Sequence, residues 1–188
     1  MANEKQMWEE LLWAADQQNY RLSSATHFLH VSIARQKMFF CRGEKILFTY
    51  DISTSTCPPC NEENSNGTPL GLHRICEKYG NDAAEGTVFI GRVSSGKHYK
   101  CYTNWKSCGR VLTRILRLEG LMEGVNRGKN LYGNICDSYL RYIYIHGTAF
   151  EEHVGTPTSH GCITMRNKEI ITLYERVEID TFVNLCMH

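Results

Sequence analysis

His146, His160 and Cys162 lie close together in the chain, and their types are those of nucleophilic catalysis. A free thiol titrates near pKa ~8.5, so at neutral pH its sulfur is mostly protonated and a poor nucleophile. An imidazole within hydrogen-bond reach can take that proton and later return it to a leaving amine. In Thr158-Ser159-His160-Gly161-Cys162-Ile163-Thr164-Met165-Arg166 a glycine precedes the thiol, which lets backbone approach a substrate closely. The N–H groups of Gly161 and Cys162 are candidates to face a developing oxyanion. Residue types alone leave other readings open: buried packing groups, or ligands of a zinc ion. A second thiol motif, Cys57-Pro58-Pro59-Cys60, could bind zinc or cycle as a disulfide. Zinc needs two further ligands, for which Cys76, Cys101, Cys108 and Cys136 are candidates, and the chain has no second Cys-x-x-Cys. The expectation is therefore no metal and no cofactor, with Cys57 and Cys60 an incidental loop feature.

The elements that must position these groups are mostly strands. Residues 141–146 read as a strand ending at Gly147. With Ile143 and Ile145 in the core, alternation puts Tyr142, Tyr144 and His146 on the opposite face. Residues 28–33, 37–41 and 45–52 are rich in β-branched and aromatic residues, and Arg42-Gly43-Glu44 supplies a hairpin turn between the last two. Further strands are expected at 87–93, 111–118 and 181–186. Residues 53–69 form a long polar loop, of the kind that is often functional in a compact domain. Glycines at 120, 124, 128 and 133 punctuate another loop. Helices are expected at 4–18, with Met7, Leu11, Ala14 and Ala15 on its apolar stripe, and at 168–177. Asn3 and Gln6 have the form of a capping box for the first. Asn167 is the expected N-cap of the second, whose apolar face is Ile170, Ile171, Tyr174 and Val177. Many strands and few helices give a mostly β domain with segregated helices, an α+β class.

At 188 residues the chain suits one domain, and its 42% hydrophobic content is ordinary for a globular protein. A net charge of +1 with scattered basic residues argues against nucleic acid as a partner. No stretch approaches the ~20 apolar residues of a membrane span. The polar, acidic N-terminal residues do not resemble a secretory signal. Nine cysteines, an odd number, favour free thiols in a reducing compartment. Cys41, Cys76 and Cys186 fall in expected elements, where a buried thiol acts as a small hydrophobe. The expected location is cytoplasmic, or extracytoplasmic if a leader has been removed.

Ser159-His160-Gly161-Cys162 with His146-Gly147 upstream resembles the signature of the L,D-transpeptidase (YkuD-like) catalytic domain, in a signal-less branch. Residues 31–38, whose turn carries Gln36, resemble that family's opening hairpin, and Ile52-Ser53-Thr54 its next strand end. Thr68-Pro69-Leu70-Gly71 is similar to its Thr-Pro-x-Gly element. Lys78-Tyr79-Gly80, Gly86-Thr87-Val88-Phe89 and Leu118-Glu119-Gly120-Leu121 with Gly124 and Asn126 recur in one branch, and Tyr174, Val177, Thr181 and Val183 fit the closing helix and strand. The likeness spans residues 28–186. It departs at Thr164, where Arg or Asn is usual, and at Asp180, where Gly is usual.

The resemblance implies a β-sandwich or barrel catalytic domain at 28–188, with 1–27 an accessory helix and linker. It implies Cys162 as the nucleophile of a thioester acyl-enzyme and His146 as general base and acid, oriented by a backbone carbonyl near Gly147 rather than by a carboxylate. Ser159, His160 and Gly161 would shape the pocket and oxyanion site, and Arg166 and Tyr144 would meet substrate. The implied partners are peptidoglycan stem peptides or muropeptides, with carbapenem β-lactams as acylating inhibitors. Transfer of the acyl group to an amine defines an L,D-transpeptidase and transfer to water an L,D-carboxypeptidase; both use the same residues. A cytoplasmic setting favours hydrolysis of soluble muropeptides in wall recycling. The rival readings are a non-catalytic peptidoglycan-binding domain and a zinc-structured binding module built on the extra cysteines.

Overall fold

Strands that are apolar on both faces must be covered on both sides, and Lys37-Met38-Phe39-Phe40-Cys41 is such a run. The structure, a computed structural model describing residues 4–103 and 111–188, meets that demand with one helix against each face. Helix α1 (Glu4–Asp16) precedes β1 (His27–Ser32), β2 (Lys37–Arg42), β3 (Lys45–Asp51), β4 (Gly71–Tyr79), β5 (Thr87–Ile90) and β6 (Val93–His98). Then come β7 (Leu112–Gly120), β8 (Tyr144–Gly147), β9 (Ile163–Met165), helix α2 (Asn167–Arg176) and β10 (Phe182–Cys186). The protein is mostly β with two helices, as the strand-rich pattern implies.

The strands lie in the order β3-β2-β1-β10-β4-β7, after which β8 pairs with β7 and β9 with β8; the β5–β6 hairpin joins the start of β7. Ser53, just past β3, exchanges two backbone hydrogen bonds of 2.8 Å with Thr164 in β9. The last strand is thereby tied back to the first, and the sheet curves closed. Met38 and Phe40 face inward with Leu29, Val31, Ile145, Ile163 and Met165, and α2 covers this core with Ile170, Leu173, Tyr174 and Val177. Phe39 and Cys41 face outward with Phe28 and Leu72, beneath Met7, Trp8, Leu11, Ala14 and Ala15 of α1.

Several elements differ from the sequence expectation for identifiable reasons. Strand β4, unforeseen in Gly71–Tyr79, is polar at half its positions because it runs between β10 and β7 with only Leu72, His73 and Ile75 fully covered. The expected strand 87–93 is two strands, because Gly91 and Arg92 both have positive φ (54° and 70°), the geometry of a tight hairpin turn. The strand expected at 141–146 begins only at Tyr144, since Tyr142 sits at φ 56° in a turn. The first helix ends at Asp16 rather than 18, and Asn3 lies outside the described residues. Arg166, not Asn167, is the N-cap of α2, and Leu173 rather than half-buried Ile171 fills its inner face. Asp180 has φ 69°, a conformation suited to the glycine usual in the family and tolerated by a short polar side chain.

Candidate active site

His146 lies on β8, an interior strand held antiparallel by β7 and parallel by β9, with Ile115 and Thr164 as its cross-strand neighbours. Alternation turns Ile145 into the core and leaves His146 on the other face, as expected. Its Nδ1 donates to the carbonyl oxygen of Gly147 at 2.8 Å, which fixes the tautomer with Nε2 as the basic nitrogen. Residue 147 must be glycine for space: a Cβ there would sit 2.3 Å from Asn167 Oδ1 and 3.0 Å from the Leu112 carbonyl. Asn167 is placed by three partners. Its side-chain amide donates to the Thr148 carbonyl at 2.7 Å and to Glu151 at 2.6 Å, and its Oδ1 accepts from Thr113 Oγ1 at 2.5 Å. Glu151 also accepts from the Asn167 backbone N–H at 2.6 Å, so a carboxylate from the 147–163 connection caps α2 where Asn167 itself was expected to.

Cys162 ends the loop that leads into β9. Ser159 Oγ donates to the Cys162 carbonyl at 2.5 Å and accepts from the Gly161 N–H at 3.3 Å, closing a tight turn. Gly161 has φ 122°, beyond the reach of ordinary L side chains. Its N–H is directed to Ser159 Oγ within that turn. Thr54 accepts on its carbonyl from the N–H groups of Thr158 and Ser159, both at 2.9 Å. Gln36, at φ 51° in the β1–β2 turn, holds Thr54 in turn: its amide donates to Thr54 Oγ1 at 2.7 Å and accepts from the Thr54 N–H at 2.8 Å. A chain of hydrogen bonds thus runs from the opening hairpin to the Cys162 carbonyl.

Cys162 and His146 line one cavity of about 500 Å³, together with Val111, Phe150, His153, Thr158, Ser159, His160 and Thr164. The half-buried thiol donates to the Tyr142 carbonyl at 3.5 Å. Burial pushes its pKa up to about 11, opposed by a backbone hydrogen bond near Tyr144 and by the Arg141 charge. Burial likewise lowers His146 to about 4, opposed by its bond to Gly147. Both groups are therefore neutral at rest, with the proton on sulfur.

Not every expected site residue lies on this cavity. Tyr144 packs with Phe89 and Ile115 beside Cys162, and its hydroxyl accepts from Arg92 at 3.2 Å. Arg166 pairs with Asp51 at 3.2 Å and Glu169 at 3.5 Å and is not among the residues lining the cavity. His160 is exposed at the rim. Arg141, unremarked in the sequence, donates to the carbonyls of Cys60, Asn61 and Gly67 at 2.7–3.0 Å and clamps the 53–69 loop beside the thiol. Cys57 and Cys60 belong to no group of three close metal donors among the described residues, and Cys108 lies outside those residues.

Residues 26–185 match the L,D-transpeptidase catalytic domain family. The fold is similar to the Ldtfm–avibactam carbamoyl enzyme, at 18% identity and TM-score 0.50 over 86% of this chain and 49% of that one. It is similar to the L,D-transpeptidase from Mycobacterium smegmatis at 12% identity and TM-score 0.50, over 86% and 59% of the two chains. A third likeness is to L,D-transpeptidase 3 from Mycobacterium tuberculosis in complex with a faropenem-derived adduct, at 13% identity and TM-score 0.50 over 85% and 60%. The chain spans about half to three fifths of the length of these structures. The comparison with curated proteins found no match.

Proposed function

The chain belongs to the L,D-transpeptidase catalytic-domain family, and from that premise we propose that it transfers acyl groups of peptidoglycan stem tetrapeptides through Cys162. Residues 28–188 would be the catalytic unit, with 1–27 an accessory segment whose helix α1 packs on β1, β2 and β4. The observation that carries this reading is that His146, with its Nδ1 tied to the Gly147 carbonyl, shares a cavity with Cys162. Nε2 takes the thiol proton as sulfur bonds to the carbonyl carbon of the third, diaminoacyl residue. The Cys162 N–H is a backbone donor that can face the oxyanion. Collapse of the tetrahedral species breaks the C–N bond to D-alanine, which leaves with the proton from His146, and a thioester remains. An amine or a water then attacks the thioester, giving its proton to His146, and the thiol is restored.

Hydrolysis of soluble muropeptides is the favoured outcome in a cytoplasmic setting, and the eight free thiols among the described residues suit a reducing compartment. Mass spectrometry of products from a defined tetrapeptide, with and without an amine acceptor, tests both levels. Release of D-alanine supports acyl transfer, and its absence with a reactive thiol would sink the proposal. Efficient exchange with an added D-amino acid would replace the carboxypeptidase assignment with transpeptidation. The same chemistry predicts a covalent carbapenem adduct on Cys162, as adducts are named in the structure from M. tuberculosis.

A further inference from the structure

Far from that cavity, on the sheet face covered by α1, a second cysteine and two more histidines converge with a carboxylate. Glu10, Cys186 and His188 place one ligand atom each within 4.8 Å of one another. His188 Nε2 lies 2.6 Å from Glu10 Oε1, and Cys186 Sγ lies 3.2 Å from Nε2 of His30 on the neighbouring strand β1. His30 is fully buried, and its Nδ1 has no hydrogen-bond partner. The orphaned Nδ1 is the ring nitrogen on the side away from Cys186, so His30 offers the cluster only Nε2, against the sulfur.

We propose that Glu10, Cys186 and His188, with a water as the fourth ligand, form a zinc site that staples helix α1 to the sheet. Thiolate, imidazole and carboxylate are the donors zinc takes, usually four in a tetrahedron. Bond lengths near 2.0 Å to nitrogen or oxygen and 2.3 Å to sulfur put tetrahedral ligands about 3.5 Å apart, inside the 4.8 Å within which these three donor atoms lie. The Glu10–His188 pair, now a hydrogen bond, opens by under about 1 Å to admit the ion between them. An outer contact is already in place: Gln6, one turn earlier on α1, donates to Glu10 Oε1 at 2.9 Å and orients the carboxylate. A cleft of about 390 Å³ between α1 and β10 gives an entry path past Trp13 and Asn184. The three donors come from α1, β10 and the chain just after it, so binding couples the segment before residue 26 to the domain.

The test is zinc titration of the full chain with metal analysis after dialysis, and cobalt substitution as a spectroscopic probe of sulfur ligation. One equivalent of zinc is expected, with a thiolate-to-cobalt charge-transfer band in the near ultraviolet. Cys186→Ser should abolish the band and weaken zinc binding at least ~100-fold, and Gln6→Ala about 10-fold. His188→Ala lies at an exposed position, folds regardless, and should weaken binding by the same order as Cys186→Ser. Cys57→Ser/Cys60→Ser should bind zinc as the parent does. Failure to retain zinc, a cobalt band that survives Cys186→Ser, or loss of binding in the Cys57/Cys60 variant would each overturn the site. None of these readouts depends on acyl transfer.

Discussion

The molecule holds two cysteine–histidine neighbourhoods at different places on its sheet, one on β8 and β9 and one between β1, β10 and α1, and they are built to different ends. Around Cys162 and His146 the backbone makes the arrangement: Nδ1 is tied to Gly147, the thiol faces a cavity, and the turn carrying it is fixed by Ser159 and Thr54. Around Cys186 and His30 side chains from separate elements meet each other directly, with little backbone support for the imidazole and an acidic helix above. A thiol held by backbone beside an open cavity can react with what enters. A thiol held against a carboxylate and an imidazole is arranged to share a metal ion with them.

The sharpest way to separate the two is to remove each sulfur. Cys162→Ala is expected to lower D-alanine release by at least about 10⁴-fold, and His146→Ala by a similar factor, since a nucleophile and its base act as a unit. Retention of turnover in Cys162→Ala would erase the distinction, because the cavity would then need no thiol. A smaller effect probes the α1 side. Leu11 is fully buried between α1 and the sheet, and Leu11→Ala should cost about 2–5 kcal/mol in urea unfolding. A cost under 1 kcal/mol would mean that α1 contributes little to the fold.

The two neighbourhoods also differ in how far the sequence revealed them. Ser159-His160-Gly161-Cys162 and His146-Gly147 are contiguous motifs, because a turn and a strand end position the groups locally. Residues 10, 30, 186 and 188 carry no such pattern; only the parallel pairing of β1 with β10 and the docking of α1 bring them together. The same division holds for the fold. Runs such as residues 37–41 announce strands by composition. Strand β4 does not, because polar residues at its half-covered positions blur the period. The capping of α2 by Glu151 could not be foreseen from the helix's own residues, since the cap arrives from a different segment.

Acid should act on the buried histidines, since burial lowers His30, His73 and His146 alike to about 4. His146 and His73 are both lowered to about 4 by burial, and both are fully desolvated, neutral imidazoles. In the unfolded chain they titrate near 6.5, so below that pH the unfolded state binds protons that the folded state refuses. Their stabilising contribution is present above pH ~6.5, declines as pH falls, and levels off below about 4, where both states are protonated. At about 1.4 kcal/mol per pKa unit, each accounts for roughly 3 kcal/mol across the window. Replacing His73, whose ring bridges the Gly71 carbonyl and Ser138, with Gln should flatten the profile by about that amount while leaving the His146 share. A pH-independent melting temperature between 6.5 and 4 would refute the neutral resting state assigned to His146.

The smallest expected effect tests whether backbone support, rather than proximity alone, sets the thiol apart. Gln36 touches neither sulfur nor imidazole; it acts through Thr54, which holds Thr158 and Ser159, and Ser159 holds the Cys162 carbonyl. Gln36→Ala leaves the Thr54 N–H and hydroxyl without their partner in a buried site, which should cost about 1–3 kcal/mol of stability. If the relay positions Cys162, carbapenem acylation should also slow by about tenfold. If acylation stays at the parent rate while stability falls, the relay is structural only. The contrast between the two thiols would then rest on the cavity and His146 rather than on the turn that carries Cys162.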